Sequence, residues 1–181
     1  MQLTKTNHVT YIDMLGTTVS DTAWVLRFID NQTVFSNNSD GTGNVCSFGI
    51  SSTTGNYASN QDFIGLGIAL GSNNEKLNQN DVDGTALSSS VGGTLATASS
   101  VDERFTEIIR LTATSYSISL STTSSYTGDI ESANTRTGMP STTDTLRYAK
   151  VALHSNDTTP NGDLTGTIKN WQFADGVTVA P

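Results

Sequence analysis

Oxygen-bearing side chains gather in three loops of this chain. Residues 36–44 contribute Asp40 and Asn44, residues 80–84 contribute Asp81 and Asp83, and residues 155–163 contribute Asp157 and Asp163. Carboxylates and amides clustered beside glycine are what a hard cation such as calcium takes as ligands. They are equally what a hydroxyl-rich partner takes as hydrogen-bond acceptors. These six residues are the candidate ligand contacts, with calcium expected at Asp81 and Asp83 or at Asp157 and Asp163. The loop 54–61 joins them as a further polar contact surface. None carries the closing Glu of an EF-hand loop. Asn and Asp next to Gly also build metal-free turns, because their short side chains bond their own backbone. Both readings stand at this point.

Catalytic constellations are harder to assemble. Asp102, Glu103 and Glu107 form the densest acidic run, but Arg104 and Arg110 lie among them, so salt bridging is the simpler use. Serines abound, yet His8 and His154 sit near the two ends and no Gly-x-Ser-x-Gly elbow occurs. The single cysteine, Cys46, excludes an internal disulfide and reads as a small core residue. Nine Lys and Arg against 17 Asp and Glu give a net charge of −8, so no basic face is left to neutralise phosphates. A nucleic-acid partner is not expected. No run approaches the ~18 apolar residues of a spanning helix, and no membrane insertion is expected either. Residues 1–15 show no basic stretch followed by an apolar one, hence no recognisable secretory signal.

The elements that must position these residues are strands. Apolar residues come in short bursts rich in Val, Ile, Thr, Tyr and Phe, separated by Gly, Asn, Asp and Ser, and nowhere at helical spacing. The pattern predicts strands near 8–14, 22–30, 44–51, 61–70, 76–81, 104–113, 115–121, 129–132, 145–153 and 163–173. A tight hairpin is expected around Ala113-Thr114-Ser115. In FIGLGIAL, Gly65 and Gly67 alternate with Ile64, Leu66 and Ile68, leaving one strand face bare for close approach of a sheet, loop or ligand. The low-complexity stretch 82–100 reads as a long connection over one edge. About ten antiparallel strands with essentially no helix predict an all-β, two-sheet jelly-roll sandwich, one domain over residues 1–181.

Five segments carry a family likeness: SDTAWVLRF (20–28), QDFIGLGI (61–68), EIIRLTATSYSISLSTTSSYTGDIES (107–132), LRYAKV (146–151) and DLTGTIKNWQF (163–173). In this order they resemble the concanavalin A-like lectin and glucanase sandwiches, close to laminin-G-like jelly-roll modules. The resemblance covers residues 9–175 and agrees with Trp24 and Trp171 as large rings filling a core about 10 Å thick between two sheets. Its glucanase branch carries Glu-x-Asp-x-x-Glu or similar on one strand. Here Glu103 and Glu107 could share a face, but Asp102 could not join them.

The resemblance, the missing carboxylate motif and the low-charge Ser/Thr/Asn coat together lead to an expectation of a non-enzymatic, lectin-like surface module. It would be a virion decoration, a fibre or a cell-surface adhesion component, with loops touching glycans or receptors. An extracellular or virion-surface location and a homo-oligomer or neighbouring subunits follow from the same reading. The alternative is a glycan-active hydrolase of the glucanase branch, which requires two carboxyl groups about 5–9.5 Å apart in one groove.

Overall fold

The computed structural model describes residues 9–13, 16–35, 44–56, 59–70, 75–87, 94–98, 103–126, 128–139, 145–153 and 164–179. Eleven strands lie among them: β1 (Val9–Asp13), β2 (Trp24–Phe35), β3 (Asn44–Ser51), β4 (Gln61–Leu70), β5 (Glu75–Thr85), β6 (Thr94–Ala98), β7 (Arg104–Thr112), β8 (Ser115–Ser121), β9 (Glu131–Thr137), β10 (Tyr148–Leu153) and β11 (Leu164–Asp175). Six form a sheet in the order β1-β10-β3-β4-β5-β6, and five form a second in the order β11-β2-β7-β8-β9. All neighbours pair antiparallel. The molecule is the expected all-β two-sheet sandwich of jelly-roll type, with no α-helix among the described residues.

Period-2 alternation decides which side chains enter the space between the sheets. Trp24, Leu26 and Phe28 of β2 meet Phe48 and Ile50 of β3 and Ile64 and Leu66 of β4, with Ile108, Ile118 and Leu120 completing the layer. Cys46 is buried in the same core. The hairpin forms where expected, Thr112 pairing Ser115. Two expectations are corrected. The stretch 82–100 is not all connection: β5 runs on to Thr85, and residues 94–98 form the edge strand β6, whose small side chains hide the strand pattern. Trp24 is completely buried, but Trp171 is only partly so. Asn170 takes φ +56°, and β11 bulges so that Asn170 and Trp171 together stand opposite Phe28. The bulge lays the indole on the Phe28 ring, centroids 5.1 Å apart and nearly parallel.

Polar ties close the sandwich internally. Arg104 grips Asp30 with two hydrogen bonds across the β2–β7 ladder, both side chains shut off from solvent. At the other end, Asp81 on β5 accepts from Tyr116 Oη on β8 and Arg136 Nε on β9, each at 3.1 Å. Gln79 Nε2 donates to Asn134 O beside it, so the two sheets are joined by hydrogen bonds as well as by packing.

Candidate functional site

Register lays out the outer face of the six-stranded sheet as a grid, since directly opposed residues in an antiparallel pair share a face. One row reads Asp13, Tyr148, Ser51, Phe63 and Val82; the next reads Tyr11, Lys150, Gly49, Gly65 and Asn80. The bare glycine face expected from FIGLGIAL is real, and it is already occupied. A Cβ at Gly49 would stand 2.8 Å from Phe63 Cζ, and one at Gly65 2.8 Å from Phe63 Cε1, so this ring covers both glycines.

At the β1–β10 edge the same face opens to solvent. Tyr11 is 49% exposed and meets Tyr148 edge-on at 5.6 Å. The Arg147 guanidinium lies 5.2 Å from the Tyr148 ring centre and clasps Asp13 with Nε at 2.9 Å and an Nη at 2.6 Å. Arg147 holds the Asp13 carboxyl below its ordinary pKa, helped by the Gly16 N–H, and Asp13 in turn raises the guanidinium.

Inward along the grid, Lys150 is fully buried and donates to Gln61 Oε1 at 2.5 Å, Thr53 O at 3.2 Å and Ser51 Oγ at 3.5 Å. All three acceptors are neutral. Burial brings its pKa down from 10.5 to about 8. Gln61 is the hub: its Nε2 donates to Asn56 O and Ser59 O, while its Oε1 accepts from Ser51 and Lys150. The loop between β3 and β4 is thereby tied over the amine. Farther along, Asn80 donates to Ser47 Oγ at 2.7 Å, and its Oδ1 has no protein partner.

The expected contacts sit differently. Asp81 lies in β5 and not in a loop, its carboxylate turned inward to Tyr116 and Arg136. Asp83 is half-buried near the end of that strand. Asn44 opens β3 opposite Ala69, and its side chain lies outside the described residues, as do Asp40, Asp157 and Asp163. Among the described residues, no three His, Cys, Asp or Glu side chains gather as a metal site would need. The sequence reading missed Tyr11, Arg147, Tyr148 and Lys150, and reached Gln61 only as the last residue of the loop 54–61. Alternation in HVTYID and LRYAKV puts Tyr11 and Asp13 on one face and Tyr148 and Lys150 on another, but only the pairing of the two strands makes those faces one.

No protein-family model matches the chain, and no curated protein matches it. Solved structures do. A functionally unknown protein from Saccharomyces cerevisiae superposes with TM-score 0.54 at 12% identity, over 93% of this chain and 74% of that one. An alginate lyase from Pseudomonas aeruginosa gives 0.53 at 11%, over 88% and 68%. The carbohydrate-binding CBM2 module of the Dit protein of Lactobacillus casei phage J-1 gives 0.52 at 11%, over 96% and 70%. The likeness is one of fold. A family 7 alginate lyase solved with bound substrate is among the matches, and this chain spans 66% of its length.

These matches overturn the expectation of a non-enzymatic module. That expectation rested on the resemblance and the polar coat together with the missing paired-carboxylate motif, yet several alginate lyases share this architecture. The sandwich therefore does not separate binders from enzymes.

Proposed function

We propose that this chain is a glycan-directed sandwich of the concanavalin A-like superfamily, holding carbohydrate on the outer face of its six-stranded sheet along the β1–β10 edge. The observation that carries the reading is the exposed Tyr11 ring beside the Arg147–Asp13 pair. A sugar presents C–H faces that pack on aromatic rings, and a rim of hydroxyls that both donate and accept. The paired guanidinium and carboxylate offer both functions side by side. Fold likeness to polysaccharide lyases and to a phage carbohydrate-binding module supports the reading. The phage module also supports display at a virion or cell surface, where repetition in an oligomer would multiply weak contacts through avidity. Retardation of the protein in gels cast with soluble polysaccharides tests the proposal. Retardation by at least one, lost in Tyr11→Ala, is expected; free migration through a broad panel would refute it.

A glycan-cleaving use of the same face is the second reading, and fold likeness to alginate lyases supports it. Release of new reducing ends from a retarded polysaccharide is the expected result. Retardation with no release rules out cleavage and leaves the binding proposal standing.

A further inference from the structure

We infer that the glycan held at the Tyr11–Arg147 face is an uncharged one, not a polyuronate of the kind that the structurally similar alginate lyases are named for. The inference rests on the glycan-directed reading above and narrows its substrate class.

The charge that would recognise a polyuronate at this face is already spent. A polyuronate carries a carboxylate on every sugar, and a protein that grips it needs cations free to turn toward it. Of the nine Lys and Arg, Lys5 and the side chain of Lys76 lie outside what the structure describes, which leaves seven side chains. Four of them reach solvent: Arg27, Arg136, Arg147 and Lys169. Each faces a carboxylate of the chain itself, Arg27 with Glu107 at 2.6 Å, Arg136 with Asp81 at 3.1 Å, Arg147 with Asp13 at 2.6 Å, and Lys169 with Glu103. The other three, Arg104, Arg110 and Lys150, are completely buried. To hold a uronate at the proposed face, Arg147 would have to release Asp13, leaving that carboxylate next to the ligand's own. The whole chain adds a net charge of −8, and repulsion of a polyanion by exposed charges reaches about 8 Å at physiological ionic strength.

A neutral sugar meets no such barrier. Tyr11 supplies the ring, and the Arg147–Asp13 pair bonds hydroxyls without being broken. Such a sugar also lacks the carboxyl group beside which β-elimination takes its proton, so any cleavage at this face would be hydrolytic.

Affinity electrophoresis in uncharged β-glucan, galactomannan and dextran, set against alginate and polygalacturonate at low and physiological salt, tests the class. Retardation by an uncharged polymer, insensitive to salt, is expected. Loss of about tenfold in affinity on Tyr11→Ala, with Tyr11→Phe within about twofold of the parent, places the contact on the ring. The Phe variant guards against mere loss of β1. Preferential, salt-sensitive retardation by a polyuronate that still depends on Tyr11 overturns the inference while leaving the glycan-directed reading intact. Failure of every polymer removes both.

Discussion

The ammonium of Lys150 ends 2.5 Å from Gln61 Oε1 and, among the described residues, meets no carboxylate, only the carbonyl of Thr53 and the hydroxyl of Ser51 besides. Three donors find three acceptors, so the hydrogen bonds are complete while the charge is not neutralised.

The pH dependence of stability follows with a definite sign. Burial lowers the folded pKa from 10.5 to about 8, so below about pH 8 both states hold the proton and the penalty for burying the charge is fully present. Between about 8 and 10.5 the unfolded chain binds more protons than the folded one, and folding is progressively favoured. Urea melts of the parent minus those of Lys150→Met should show a difference that climbs across that interval. A flat difference would mean that Lys150 titrates normally.

The buried pair on β2 and β7 behaves differently, because there each charge has its counter-charge. Removing one partner takes from the other its paired charge in a dry interior. Arg104→Leu or Asp30→Leu should each cost about 3–5 kcal/mol in denaturant unfolding, whereas the double variant should recover most of the loss. Additive single losses in the double-mutant cycle would contradict the coupling.

Much of this architecture was legible in the chain, and the limits of legibility have physical causes. Strands such as YSISLS and QDFIGLGIAL announce themselves because period-2 burial is written directly into side-chain type. TLATA does not, since β6 pairs through its backbone while its small side chains carry no pattern. Asp81 looked like a loop ligand because Asp-Val-Asp-Gly has turn composition; its inward role depends on Tyr116 and Arg136 arriving from two other strands. The Tyr11–Lys150 row was hidden for the same reason. Alternation fixes a face within one strand, and only register joins faces between strands.

Gly49 and Gly65 make a sharper test of register. They oppose each other, and a Cβ on the first would fall 2.1 Å from Ile64 O, on the second 2.2 Å from Phe48 O. Both obstacles are backbone within the ladder and cannot rotate away. Gly49→Ala and Gly65→Ala should each destabilise by at least ~2 kcal/mol, beyond the Gly-to-Ala gain usual in a strand. Phe63→Ala, which uncovers the pair, should not rescue either variant. A neutral melt for Gly65→Ala would show that the two strands are not paired at these residues.

Asp129 offers a site-resolved titration in the turn between β8 and β9. Its carboxylate accepts from Ser121 Oγ at 2.5 Å, from the Thr122 N–H at 2.8 Å and from the Thr122 hydroxyl. These bonds favour the ionised form and bring the pKa from 3.8 down to about 2, the Ser121 bond contributing most. The direction is a lowered pKa, so the support is whole above about pH 3.8 and is withdrawn as pH falls toward 2. The same turn places Tyr126, at φ +54°, over Arg27 with the guanidinium carbon 4.4 Å from the ring centre. Carboxyl carbon shifts followed by NMR should therefore give Asp129 an inflection near 2, moving back toward 3.8 in Ser121→Ala. The Tyr126 ring resonances should shift over that same low interval, because the turn that seats the ring loses its tie as Asp129 protonates. An Asp129 inflection at the ordinary carboxylate value in the parent would show that the hydroxyl pair does not hold it, and the seating of the Tyr126 ring would then fall to Arg27 and Phe105.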